Sequence, residues 1–296
     1  MKSVEDRESA LRRAGERLLR KHGLPGARGE GAPWGPDFFR LERVARFRDA
    51  APKARRAVLD ACAASLLAES WFVERCGVTF CARMTLLADN AEEKRLFALI
   101  GADEATHSAW LEPWVPRRDE RMDSFNRLIS ALVETGSAQP LAFLMQVVLE
   151  GFGIVHYGRL GAACLDPALA ATLKRMAQDE AVHHAAGLAV FDPARLTVQE
   201  RRFLAEAAFE FLEMIRNGPQ AAVAALDRAV GIGDGADAAG IFEDLATEPE
   251  TSGKLVEMRR LMARPGMEWL VGELDRKGVF APCTPAECSR IYIAAR

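Results

Sequence analysis

The stretch Asp179-Glu180-Ala181-Val182-His183 decides how the chain folds, and Asp103-Glu104-Ala105-Thr106-His107 repeats its pattern. On a helix, a glutamate and a histidine three residues apart lie on one face about one turn apart. Each copy can therefore offer one oxygen and one nitrogen to the same ion. A glutamate three residues before a histidine also forms ordinary surface pairs. Two copies, each beginning with aspartate in a chain with only five histidines, favour a shared metal site.

One further glutamate precedes each motif. Glu69 precedes Glu104 by 35 positions (104 − 69), and Glu150 precedes Glu180 by 30 positions (180 − 150). Because an α-helix rises about 1.5 Å per residue, side chains about 30 positions apart reach the same height when two helices of about 24 residues form a hairpin. We therefore predict two helical hairpins, each pairing a single glutamate with one Glu-x-x-His motif.

A glutamate from each of two helices and a Glu-x-x-His from each of the other two are the ligands of a di-metal carboxylate bundle. Four facing carboxylates are unfavourable in an apolar interior, but two divalent ions would balance their charge. Oxygen-rich ligation with two imidazoles suits two Fe ions, or Mn, better than Zn, and leaves positions for O2 as a co-substrate. The predicted ligands are Glu69, Glu104, His107, Glu150, Glu180 and His183.

The aspartates that begin the two motifs are candidates for orienting the histidines. Metal-binding histidines usually donate their other N–H group to a carboxylate. Across the approximate two-fold axis of the bundle, Asp103 would hold His183 and Asp179 would hold His107. Ordinary helix-surface aspartates are the alternative interpretation.

Four more residues are candidates for a substrate pocket or an extra ligand by their helical spacing. His184 follows Glu180 by four positions, and core packing is its alternative role. Gln146 and Tyr157 flank Glu150 on one helix, where hydrogen-bonded core positions explain them equally well. Phe72 lies near the expected height of the metals, and core filling explains it too.

Composition favours a soluble, helical, cytoplasmic protein. Hydrophobic residues make up 49% and charged residues 27%, and alternating strand-like runs are missing. A net charge of −3 predicts no nucleic-acid partner, and the hydropathy pattern predicts no membrane partner. The six cysteines include no CxxC motif, so we expect buried thiols rather than a zinc or rubredoxin-type module.

Glycine- and proline-containing loops divide the chain into three parts. Residues 1–50 are predicted to hold N-terminal helices and a Gly/Pro-rich loop, and residues 51–191 the di-metal bundle. Residues 192–296 form a helical extension for packing, cover or homodimer contacts. Helices are predicted at residues 1–22 and 53–76, and a helix that connects the two hairpins is predicted at 119–134. Further helices are predicted to begin at Asn90, Pro140, Asp166 and the capping box at Thr197. A loop is expected at 231–240.

With these motifs, residues 55–190 resemble the ferritin-like di-iron carboxylate superfamily, and are most similar to its p-aminobenzoate N-oxygenase group. The resemblance implies a ferritin-like four-helix bundle with additional N- and C-terminal helices. It also implies a non-heme di-iron oxygenase that uses O2 and an external electron donor, a ferredoxin- or flavin-type reductase. The substrate would be a small organic molecule, often an arylamine, that is N-oxygenated or hydroxylated.

The chain departs from several members of this superfamily. Met176 stands where the N-oxygenase group has an extra histidine ligand, and Leu111 stands where ribonucleotide reductase small subunits carry a radical tyrosine. Gly153 and Ile154 stand where many hydrocarbon hydroxylases and desaturases carry threonine. Two alternatives remain open: a ferroxidase or iron-handling protein without an organic substrate, and a helical scaffold that binds no metal.

Overall fold

The computed structural model describes residues 14–19, 23, 29, 31–115 and 124–296. Every regular element within those residues is a helix, which confirms the predicted all-α class. The N-terminal helix expected at residues 1–22 lies mostly outside the described residues, although residues 14–19 are helical.

The first hairpin joins two long helices through a turn of three residues. After a 3-10 turn at Leu41–Arg43, α1 covers Ala45–Asp49, α2 covers Pro52–Leu87 and α3 covers Ala91–Leu111. Proline suits the first turn of α2, where its missing N–H group costs no hydrogen bond. Asn90 caps α3 as predicted, because its side chain accepts a hydrogen bond from the Glu93 amide. Helix α2 continues eleven residues beyond its predicted end at residue 76 (87 − 76).

The second hairpin follows a connecting helix. Helix α4 covers Ser124–Thr135, α5 covers Ala138–Ala163 and α6 covers Pro167–Val190. The segment Ala142–Glu150 of α5 is π-helical, a rare form that is frequent at functional sites. Asp166 caps α6 as predicted, accepting hydrogen bonds from the amides of Ala168 and Leu169.

Among the described helices, α5 alone is long and apolar enough to cross a membrane. Of its most apolar 18 residues, 61% are buried inside the protein. Core helices of soluble proteins pass the same test of length and composition, so this is weak evidence for a membrane span. The helix also carries Glu150 into the interior.

Six helices form the C-terminal third: α7 at Val198–Arg216, α8 at Gln220–Val230, α9 at Gly235–Asp244, α10 at Thr247–Met262, α11 at Glu268–Arg276 and α12 at Pro285–Ala295. The capping box that Thr197 and Glu200 were predicted to form opens α7. The loop expected at residues 231–240 is confirmed only for 231–234; the rest is helical, because Asp234 caps a helix there by accepting hydrogen bonds from two following amides.

Three groups of buried apolar side chains hold the helices together. The first core unites α2 to α5 with α7, α10 and α11, and the second packs α1 and the start of α2 against α8, α9 and α12. The third surrounds Trp34, Trp110 and Trp114 and joins α2, α3, α5 and α6. Fully burying one such large apolar side chain stabilises the fold by about 1.5–3 kcal/mol. The C-terminal third therefore shares its core with the two hairpins.

Candidate metal centre

A buried cluster of glutamate and histidine side chains lies where α2, α3, α5 and α6 meet. Two groups of four residues each bring four ligand atoms within 4.8 Å of one another. Glu104 and Glu180 belong to both groups, so the groups form one continuous cluster that can hold a metal ion. The first group is Glu74, Glu104, His107 and Glu180; the second is Glu104, Glu150, Glu180 and His183.

Each cluster histidine directs Nδ1 towards the carboxylates. His107 Nδ1 lies 2.9 Å from Glu74 Oε2. His183 Nδ1 lies 3.1 Å from Glu104 Oε1. The two rings themselves lie close together, with centroids 5.9 Å apart. Both histidines are buried, so their inner nitrogens face the carboxylates rather than solvent.

The outer nitrogens face the aspartates that begin the two motifs, in the crossed arrangement expected from the sequence. His107 Nε2 lies 3.1 Å from Asp179 Oδ2. His183 Nε2 lies 3.5 Å from Asp103 Oδ2. An imidazole that donates its Nε2–H group to a carboxylate has its Nδ1 lone pair free for a ligand, and this lone pair points into the cluster.

The donor atoms inside the cluster fit a cation. Glu104 Oε1, Glu180 Oε2 and His183 Nδ1 are buried and lack a hydrogen-bond partner. His183 Nδ1 and Glu104 Oε1 are near in distance but do not have hydrogen-bond geometry. Buried acceptors that face one another without a donor cost free energy, and a positive ion between them would satisfy all three.

The protein's own charges distort the proton affinities of the cluster. Burial and the neighbouring Glu150 raise the pKa of Glu104 to about 8 and hold the pKa of Glu180 well above its usual range. Burial opposes a charge on His107, but its hydrogen bonds to Asp179 and Glu74 outweigh burial and raise its pKa to about 10. A divalent ion would replace protons held by these groups, which is the usual linkage between metal binding and proton release.

The prediction that Glu69 faces the cluster is wrong, and Glu74 occupies the predicted position. The Glu69 side chain is exposed, whereas Glu74 is 2% exposed. Five helical positions separate the two, a rotation of about 140° beyond one full turn at 3.6 residues per turn, so they cannot share a face. The short turn before Asn90 also pairs Glu74, not Glu69, with His107 across the hairpin.

With Glu74 in place, the two hairpins follow one spacing throughout. Glu74, Asp103, Glu104 and His107 each have a residue of the same type 76 positions later (150 − 74, 179 − 103, 180 − 104, 183 − 107). The helix caps Asn90 and Asp166 obey the same offset (166 − 90). The separation of Glu74 from Glu104 (104 − 74) also equals that of Glu150 from Glu180 (180 − 150). This equality was the sequence signal that identifies Glu74.

A glycine follows the single glutamate by three positions in both hairpins. A methyl group on Gly77 would lie 2.7 Å from Glu104 Cδ, so only glycine leaves room for this carboxylate. At Gly153 a methyl group would lie 3.5 Å from Glu180 Cγ, which is an ordinary contact. The cluster therefore depends on glycine in the first hairpin and tolerates alanine in the second.

Tyr157 is the only one of the four candidate pocket residues with a hydrogen bond to a member of the cluster. Its hydroxyl donates to Glu74 Oε1, and both side chains are buried. His184 is not a ligand, because its Nδ1 lies 3.2 Å from the Gln146 carbonyl oxygen and its Nε2 lies 3.3 Å from the Arg264 guanidinium.

Gln146 and Phe72 have different surroundings. Gln146 is fully buried on the π-helical segment, and neither its amide nitrogen nor its amide oxygen has a hydrogen-bond partner. Phe72 packs against the first core. A groove of about 480 Å³ lies between α9 and α12, lined by residues such as Gly235 and Ile293, and it includes no cluster residue.

Comparison of the chain with protein-family models, with curated proteins and with solved structures finds no match. The fold and the site thus define the class: an all-α protein with a buried glutamate and histidine cluster that can hold metal.

Proposed function

We propose that this chain is a ferritin-like di-iron oxygenase that uses O2 and an external reductant to oxidise a small organic molecule. The observation that carries the proposal is the pair of four-residue ligand groups that share Glu104 and Glu180. Two shared carboxylates between two terminal Glu and His pairs suit two neighbouring ions. Oxygen-rich ligation with one imidazole each favours iron or manganese over zinc.

The cluster residues would have different roles in binding the two ions. Glu74 and His107 would hold one ion, Glu150 and His183 would hold the other, and the shared carboxylates would join them. Iron held in this way would supply the activation of O2. Asp103 and Asp179 would fix the tautomers and the orientations of the two histidines, since each lies beside an outer ring nitrogen that can donate to it.

Oxygenation requires partners outside the chain. Insertion of one oxygen atom of O2 into an organic substrate converts the other atom to water and consumes two electrons and two protons. We propose a ferredoxin- or flavin-type reductase as their source. The side chains of Asp103 and Asp179, 45% and 34% exposed, connect the buried histidines to the surface. They give the cluster a short route for protons.

The test is to load the purified protein with Fe(II) without oxygen, then add O2 and a reductant with a panel of arylamines and other small molecules. Mass spectrometry should find a product heavier by one oxygen atom, labelled when ¹⁸O2 is used. The product should be absent for Glu104→Gln, which removes a ligand from both groups. The exposed control Glu69→Gln should keep the activity.

The other outcomes separate the alternative functions. Rapid oxidation of added Fe(II) to a ferric mineral, with no organic product from any panel member, would replace the oxygenase with a ferroxidase. Failure of the purified protein to bind Fe(II) or Mn(II) would leave only the metal-free scaffold. Metal analysis by mass spectrometry makes that decision before any substrate is tested.

A further inference from the structure

The two halves of the cluster differ at one pair of matching positions. Seven positions after Glu74 the chain has Cys81, and seven positions after Glu150 it has Tyr157. The two obey the same offset as the rest of the hairpins (157 − 81), and both side chains are buried, at 1% and 4% exposure. By this symmetry, each residue is expected to approach the single glutamate of the opposite hairpin.

Tyr157 contacts Glu74 through its hydroxyl group, which is a strong hydrogen-bond donor. Its hydroxyl donates to Glu74 Oε1, while Glu74 Oε2 lies 2.9 Å from His107 Nδ1. One oxygen of Glu74 is therefore held by a residue that is not itself a predicted ligand, and the other faces the His107 nitrogen with which it would share an ion. Both side chains are buried, and a hydrogen bond shielded from water is stronger than one at the surface, so the phenol is an effective restraint.

Glu150 lacks an equivalent restraint from Cys81. A thiol is only a weak donor. The distance from Glu150 Oε2 to His183 Nδ1 is 3.9 Å, and the Glu150 side chain is 13% exposed, against 2% for Glu74. Glu150 also ends the π-helical segment of α5, whereas the matching segment of α2 is α-helical. The hydrogen-bond partners of Glu150 are Glu180 and His183, which are themselves cluster residues. Unlike Glu74, Glu150 therefore has no shown restraint from a described residue outside the predicted ligands.

We propose that the two metal positions are inequivalent, and that Tyr157 is the positioning residue that makes them so. The position built on Glu74 and His107 is pre-organised and fills first; the position built on Glu150 and His183 fills second and exchanges its ion more readily. This inference rests on the proposed di-metal function. Pre-organised ligands bind more tightly because less freedom is lost on binding.

The test is titration of the full-length, metal-free protein with Mn(II), followed by calorimetry and by electron paramagnetic resonance. The wild type should bind two ions in two steps at least about tenfold apart, and one equivalent should give the spectrum of an isolated ion. Tyr157→Phe should weaken the first step by about 10–100-fold, the usual effect of losing a partner of a ligand, and leave the second step unchanged.

Matched variants separate positioning from general damage. Cys81→Ala, at the equivalent position of the other hairpin, should shift neither step by more than about threefold. Glu150→Gln should retain the tight step and lose the weak one, and Glu74→Gln should do the reverse, so the order of filling can be tested even if Tyr157→Phe fails to fold.

Three results would overturn the inference: two indistinguishable steps in the wild type, equal weakening of both steps by Tyr157→Phe, or loss of the tight step in Glu150→Gln. Each of them leaves a di-metal centre in existence. Absence of Mn(II) and Fe(II) binding by the wild type would instead remove the proposed function itself. The two failures are therefore distinguishable.

Discussion

Gly77→Ala perturbs the cluster of buried glutamate and histidine side chains without removing any of them. The added methyl group would lie 2.7 Å from Glu104 Cδ and 3.0 Å from its Cγ, so the carboxylate shared by both ligand groups has to move aside. In the metal-free protein a glutamate side chain can swing at low cost. Alanine also gains about 1 kcal/mol over glycine inside a helix. The free energy of unfolding without metal should therefore change by less than about 1 kcal/mol.

The loss of stability caused by Gly77→Ala should appear when metal is bound. An ion present at about 100 times its Kd adds about 2.7 kcal/mol to the free energy of unfolding. A loss of affinity of about 10–100-fold, typical for disturbance of a metal ligand, would remove about 1.3–2.3 kcal/mol of that gain. The assay is urea unfolding with and without Mn(II), followed by circular dichroism.

Gly153→Ala is the matched control, at the equivalent position of the second hairpin. Its methyl group would make an ordinary contact of 3.5 Å with Glu180 Cγ, so this variant should keep its full stabilisation by metal and gain up to about 1 kcal/mol from helix propensity. If Gly77→Ala retains the metal-dependent stabilisation of the wild type, the packing of Gly77 against Glu104 does not control the cluster and the reasoning fails.

Three further predictions follow from individual residues. Asp166→Ala should lower the free energy of unfolding by about 2–4 kcal/mol, since it removes the cap of α6 and the acceptor of the buried Trp114 N–H group. Asn90→Ala, at the matching cap, should lower it by only about 1 kcal/mol. Equal losses for the two variants in urea unfolding would contradict this prediction. Burial opposes a charge on Asp166, but hydrogen bonds from Trp114 and backbone amides outweigh burial and lower the pKa of Asp166 on folding. The stability that Asp166 contributes should therefore be complete above about pH 4 and disappear as the pH falls further. If Asp166→Ala unfolds in acid just as the wild type does, Asp166 does not have that role. Gln146→Leu should raise the Tm, because both amide atoms are buried without partners, and a lower Tm in calorimetry would mean that the amide is hydrogen-bonded in solution.

The sequence contains most of the information about the hairpins, because their boundaries have local chemical causes. Asn90, Asp166 and Thr197 begin helices where their side chains can accept from free amides, and the predicted starts agree with the structure. The error at Glu69 also has a local cause. The 35 positions between Glu69 and Glu104 exceed the 30 between Glu150 and Glu180, whereas Glu74 matches that spacing (104 − 74). Gly77, which follows Glu74 by three positions, leaves room for Glu104.

Other features of the site depend on contacts that no local pattern records. The hydrogen bond from Tyr157 to Glu74 joins residues 83 positions apart on different helices. His184 has the correct spacing for the cluster face, yet Arg264 from the C-terminal third occupies one of its nitrogens. The π-helical segment before Glu150 changes the helical register by an amount that residue spacing cannot reveal. Tertiary packing decides all three.

The apolar character of α5 has a consequence for how the chain is made. One side of this helix packs against α10, where a methyl group on Gly151 would lie 2.6 Å from Leu261 Cδ2. Leu261 follows Gly151 by 110 positions (261 − 151), so the apolar helix α5 leaves the ribosome before α10, which covers it, has been synthesised. Nascent chains that stop before Thr247 would expose that apolar surface, and would be substrates for chaperones or prone to aggregation.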